Sequence, residues 1–107
     1  MRLAASKVRG HKVINYDNED LGTIEDFVLD MATGRLGYAI LSFLAGAGTE
    51  KLLPVPLRAL TVDADGRRFM LNADRNTLKY APAFDRHNWP DTADPSWKSG
   101  IDSYYRF

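Results

Sequence analysis

A chain of 107 residues, 45% hydrophobic and 26% charged, has the make-up of one globular domain with enough chain to bury a core without staples. It has no cysteine, which excludes disulfides and thiolate metal sites, and its 14 basic and 14 acidic residues cancel, which argues against binding nucleic acid through bulk charge. No run approaches the ~20 apolar residues of a membrane helix, and residues 1–13 lack the apolar core of a secretory signal, so the expected location is the cytoplasm.

Residues 1–10 read as a short lead-in with Ser6 and Gly10 as breakers, and Lys12 to Asn15 as a short strand. Arg2, Lys7, Arg9 and Lys12 make the first twelve residues basic. Asp17, Glu19, Asp20, Glu25, Asp26 and Asp30 make residues 15–30 acidic. The two stretches are expected to pair across the fold or to be solvated; the alternative is a bipolar surface that docks a partner or a second copy. Tyr16 to Asp20 is a polar turn whose Asn and Asp can bond their own backbone.

Leu21 to Phe43 organises the chain as two long strands around a tight turn at Met31 to Gly34. Gly22 opens the first strand, and Gly34 supplies the positive φ the turn requires. Strict alternation leaves neither face of the first strand clean, which predicts a bulge near Glu25-Asp26. Asp26 would share a face with Ile24 and Val28, so a buried or half-buried hydrogen bond to backbone or to an arginine such as Arg35 is expected. In the second strand Leu36, Tyr38 and Ile40 point one way, and Ala39, Leu41 and Phe43 the other. Both faces are apolar, so both should be covered.

Leu44 to Thr49 is a small-residue loop, expected over the mouth of a barrel; it lacks the spacing of a phosphate-binding loop. Glu50 to Leu57 contains Pro54 and Pro56, which cannot donate to a ladder, so it should be an edge strand with Leu53, Val55 and Leu57 facing the core. Ala59 to Val62 and Arg68 to Asn72 read as a hairpin around Asp63 to Gly66, a turn whose next residues, Arg67 and Arg68, rule out a calcium loop. Asp74 to Ala81 is the only segment read as a helix, capped by Asp74 and stopped by Pro82.

Residues 1–82 thus form the expected domain and residues 83–107 a tail. The tail holds Phe84, Trp89, Trp97, Tyr104, Tyr105 and Phe107, too aromatic for solvated disorder. It shows no alternation and little helical period, so it is expected to be extended. Its own barrel, a neighbouring subunit or a separate partner could receive it.

From Ala4 to Asp91 the chain resembles the PRC-barrel family. The resemblance rests on Ser6-Lys7, Gly10 to Val13, Asp20 to Asp26, the Asp30 to Gly34 turn, Tyr38 to Phe43 and Leu53 to Pro56. It continues through Ala59-Leu60, Asp74 to Pro82, Phe84-Asp85 and Asn88 to Pro90. That family is named for the cytoplasmic domain of the photosynthetic reaction centre H subunit and includes the C-terminal domain of RimM. It implies a small, all-β, mostly antiparallel barrel with a non-enzymatic role in assembly. No membrane helix or further domain is expected before the barrel, so neither relative's role is expected to carry over.

No catalytic, cofactor or metal site is expected. His11 and His87 lack zinc-ligand spacing, and no nucleophile-elbow motif occurs. The expected function is protein–protein contact, with self-association into a dimer favoured. Leu36, Tyr38, Leu41, Phe43, Trp89, Trp97, Tyr104 and Tyr105 are the expected interface, and Gly22, Asp26, Gly34, Pro54, Pro56 and Asp74 the structural positions. Charging Leu41 or Phe43 would then split the oligomer and leave a folded monomer. The alternatives are an RNA- or ribosome-associated factor using Arg2, Lys7, Arg9 and Lys12, and a peripheral factor in photosynthetic or membrane complex assembly; both rest on the resemblance.

Overall fold

The two long strands pair antiparallel, β2 (Asp20–Asp30) with β3 (Arg35–Leu44), around a turn in which Gly34 takes a φ of 73°. A computed structural model describes residues 4–44, 48–63 and 67–105. Arg2, the middle of the Leu44 to Thr49 loop, residues 64–66 of the Asp63 to Gly66 turn, and Phe107 lie outside the described residues.

The ladder between β2 and β3 slips at Glu25, where the bulge was expected. A bulge adds one residue to one strand, so side-chain parity changes there and the strand bends. Asp26 consequently lies exposed. The burial expected for it does not occur, and of the two expected partners it takes backbone rather than Arg35: Asp26 Oδ1 accepts from the N–H of the next residue, Phe27, at 2.8 Å.

The remaining strands are β1 (Lys12–Ile14), β4 (Glu50–Pro56), β5 (Leu60–Val62) and β6 (Arg68–Leu71). They extend the sheet in the order β4-β3-β2-β1-β6-β5, antiparallel except for the β1–β6 pair. The outer strands β4 and β5 are joined by one 3-10 turn, Leu57–Ala59. In a flat sheet six strands wide the outer two would lie about 24 Å apart, whereas such a turn reaches only about 8 Å. The sheet must therefore roll up, which gives a mostly-strand, barrel-like sheet with a few short helices.

Gly22 allows a close approach of β2 and β3 within that roll. Its φ is 137°, and a Cβ built there would lie 2.0 Å from the Ser42 carbonyl oxygen on the neighbouring strand. Only a residue without a side chain lets the two backbones approach this closely.

At the β4 edge the prolines fit the hydrogen-bond parity. The Leu52 N–H points outward and donates to the Phe84 carbonyl at 3.0 Å, with the return bond from the Phe84 N–H also 3.0 Å. Pro54 and Pro56, two and four residues on, share that outward direction, so no bond to β3 is lost. Both are buried.

Among the described residues three α-helices are present where one was expected. A single turn, α1 (Ala5–Val8), precedes β1. The expected helix is α2 (Arg75–Lys79), and Asp74 caps it by accepting from the Thr77 N–H at 2.7 Å. Leu78 and Ala81 are buried against the sheet. The third helix corrects the extended-tail expectation: residues Pro95–Tyr104 form α3. Asp94 is its N-cap, accepting from the Ser96 N–H at 2.9 Å, and Pro95 sits at its start, where a missing N–H costs nothing. Trp97, Ile101, Tyr104 and Tyr105 recur at helical spacing and turn one face inward, with Ile101 and Tyr105 in the same buried cluster as Leu41, Phe43 and Leu53.

Candidate functional site

The outer end of the β2–β3 hairpin and α3 enclose a groove of about 780 Å³. One wall is Val28, Leu29, Met31 and Leu36 of the hairpin; the other includes Trp97 and Lys98 of α3, and Arg58 lies beside them. Its floor is set by a bond between distant parts of the chain. Tyr38 Oη donates to Asp102 Oδ1 at 3.0 Å, and Trp97 stacks edge-on against the Tyr38 ring at 5.1 Å.

The charges beneath this wall are satisfied internally. Lys98 Nζ donates to Asp102 Oδ2 at 2.7 Å. Burial works against ionisation of Asp102, but the bonds from Lys98 and Tyr38 outweigh it and hold the carboxyl below its ordinary value. Burial, and then the neighbouring Asp102 carboxylate, push the Tyr38 phenol up to about 12. The Arg58 guanidinium donates to the carbonyls of Tyr105 at 3.1 Å and Asp102 at 3.3 Å. A cation there meets the unpaired carbonyls and the negative end of α3.

A second cluster ties the segment after α2 to the sheet. Arg86 donates to both oxygens of Glu50, at 3.0 and 2.9 Å, and to Glu25. Ser42 Oγ donates to the same Glu50 at 2.8 Å, and the Arg86 and Ser42 bonds together hold the Glu50 carboxyl below its ordinary value. Among the described residues no three of His, Cys, Asp and Glu converge as metal ligands.

The eight expected interface residues divide by burial. Leu36 and Trp89 are exposed, Trp89 resting on Phe84 with ring centroids 4.6 Å apart. Trp97 and Tyr104 are half-buried, and Tyr104 Oη donates to the Thr77 carbonyl. Tyr38, Leu41, Phe43 and Tyr105 lie in the chain's own core, Leu41 and Phe43 each 1% exposed. These four are therefore core residues rather than outer surface, because they share one buried cluster with Leu53, Leu71 and Ile101, and Trp97 and Asp102 of α3 lie against Tyr38. Charging Leu41 or Phe43 would put an unpaired charge in that core and unfold the chain rather than release a monomer.

Sequence reasoning missed Leu29 and Met31, which stand exposed beside Leu36, and the binding roles of Arg58 and Arg86. For α3 the signal was present in Asp94-Pro95 followed by apolar residues four apart. For Arg58 and Arg86 there was none, since their partners lie 36 to 61 residues away.

The basic and acidic stretches near the N-terminus do meet. Lys12 Nζ pairs with Asp20 at 2.7 Å, and Arg9 Nε donates to the Glu25 carbonyl at 2.9 Å.

The family model for the PRC-barrel domain matches residues 1–78. The chain belongs to the PRC-barrel family. The groove's α3 wall lies beyond the matched residues of the PRC barrel. No curated protein sequence matches this chain. Among solved structures it is similar to one from Pseudomonas aeruginosa described as a 16S ribosomal RNA processing protein, RimM. Identity is 20% and the TM-score 0.46, over 69% of this chain and 45% of that one. This chain thus spans less than half the length of that protein. Among the described residues no helix is long and apolar enough to cross a membrane.

Proposed function

We propose that this PRC barrel is a non-enzymatic module that works by protein–protein contact and associates with a second copy of itself. One observation carries the reading. Leu29, Met31 and Leu36, at 47%, 84% and 44% exposure, gather at one end of one hairpin and line one groove. Single exposed apolar residues are ordinary on any surface, whereas a cluster beside a concave wall marks a contact site.

The test is sedimentation of the purified chain over a range of concentrations. A mass that rises with concentration from that of one 12.0 kDa chain toward twice that value supports the reading. One chain's mass at every concentration, with no captured protein partner, removes it.

An RNA-associated role is supported by Lys7, Arg9 and Lys12 on one segment. Lys12 already has an acidic partner in Asp20, which lessens its availability for phosphate. That role requires RNA binding that weakens steeply with salt.

A further inference from the structure

We propose that the second copy docks through a two-fold contact of the β2–β3 hairpin ends, with Asp30 of each chain facing Arg35 of the other and Met31 of each in the other's groove. This rests on the self-association reading above and assigns it a surface.

Isologous dimers join identical patches, so the patch must complement itself. An apolar centre does so automatically, and charge does so only if the patch carries both signs. Asp30 and Arg35 meet this requirement, standing directly opposite each other in the ladder next to the Leu29–Leu36 pair. Neither has an ion-pair partner among the described residues. Asp30 Oδ1 accepts the Ala32 N–H at 2.9 Å, and its other oxygen is left for a partner's cation. The remaining charges of the groove are committed: Lys98 and Arg58 serve Asp102 and the end of α3, and Asp94 caps that helix.

A two-fold axis through the apolar centre sets each Asp30 against the other chain's Arg35, two opposite-charge contacts for one operation. Met31 is the most exposed large apolar residue described, and it stands on the rim of the groove. An unbranched thioether adapts to irregular concave walls. The chain's formal net charge of zero adds no long-range repulsion between copies.

The experiment is charge reversal read by sedimentation equilibrium, with circular dichroism to check the fold. Asp30→Arg places two cations in each patch, and Arg35→Asp places two anions. Each variant alone should dimerise at least about tenfold more weakly. An equimolar mixture of the two should form a heterodimer, because both contacts become opposite-charge again. Met31→Glu, at a position with no internal packing to lose, should also weaken the dimer. If the wild type dimerises and all three variants match it, self-association stands but this surface is wrong. If the single variants weaken and the mixture does not recover, the two-fold pairing is wrong. A wild type that is monomeric throughout removes both.

Discussion

Ile101→Ala tests whether α3 is part of the fold or an appendage. Ile101 is 1% exposed and packs within the cluster that includes Leu41, Phe43 and Leu53. Truncating a side chain this buried removes its transfer free energy and leaves a cavity, costing about 2–5 kcal/mol in cores generally. A value near 3 kcal/mol is expected here, since a terminal helix on one side of the core can relax toward the gap. With an unfolding entropy of about 2.1 cal/mol/K per residue, that loss lowers Tm by roughly 13 °C. Domains of this size are stable by about 5–15 kcal/mol, so the variant should remain folded at room temperature. Urea unfolding should be followed in parallel by circular dichroism, which reports the sheet, and by the tryptophan fluorescence of a Trp89→Phe background, which reports Trp97 on the same helix. Both probes should move together to a lower midpoint. A loss under about 1 kcal/mol, or a fluorescence transition that precedes an unchanged dichroism transition, would refute the placement of α3 in the core.

Gly22→Ala should cost about 3 kcal/mol or more, because the new Cβ would meet the Ser42 carbonyl oxygen while the backbone keeps a φ of 137°. Gly34→Ala, with a φ of 73° and nothing within 4 Å of the added atom, should cost only about 1 kcal/mol; equal thermal midpoints for the two variants would contradict the close approach of β2 and β3. The Tyr38 phenol has a folded-state value raised from 10.0 to about 12, so the fold favours its neutral form. Its contribution is complete below pH 10.0 and is lost as pH rises toward about 12. Urea stability of the wild type should therefore fall more steeply over that window than that of Tyr38→Phe. Tyr105, raised in the same direction by burial, leaves a residual slope in both. Parallel profiles would mean that the Tyr38 hydroxyl is neither buried nor held against Asp102 as the structure places it.

What the sequence determined by itself was mainly local. The turn at Gly34 needs a positive φ, the mismatch between polarity and alternation at Glu25-Asp26 needs a bulge, and Asp74 before a short apolar period needs a cap; each property belongs to residues adjacent in the chain. Pro54 and Pro56 likewise announced an edge strand, because a missing N–H is visible without knowing the neighbour. The Asp94-Pro95 start of α3 was equally local and was overlooked because the aromatic, proline-rich surroundings suggested an extended tail. Tertiary structure alone decided which apolar residues became surface. Alternation showed that β3 is apolar on both faces, but not that Tyr38, Leu41 and Phe43 would share one buried cluster with Ile101 of α3 while Leu29, Met31 and Leu36 stood exposed. Burial depends on what a distant segment brings, here a helix some sixty residues further along, held by Tyr38–Asp102 and by Arg58 at its end. The parallel β1–β6 pair and the Arg86 bridge from Glu25 to Glu50 are of the same kind. Each joins residues whose nearness is created by the rolling of the sheet, and nothing in their local sequence encodes that distance.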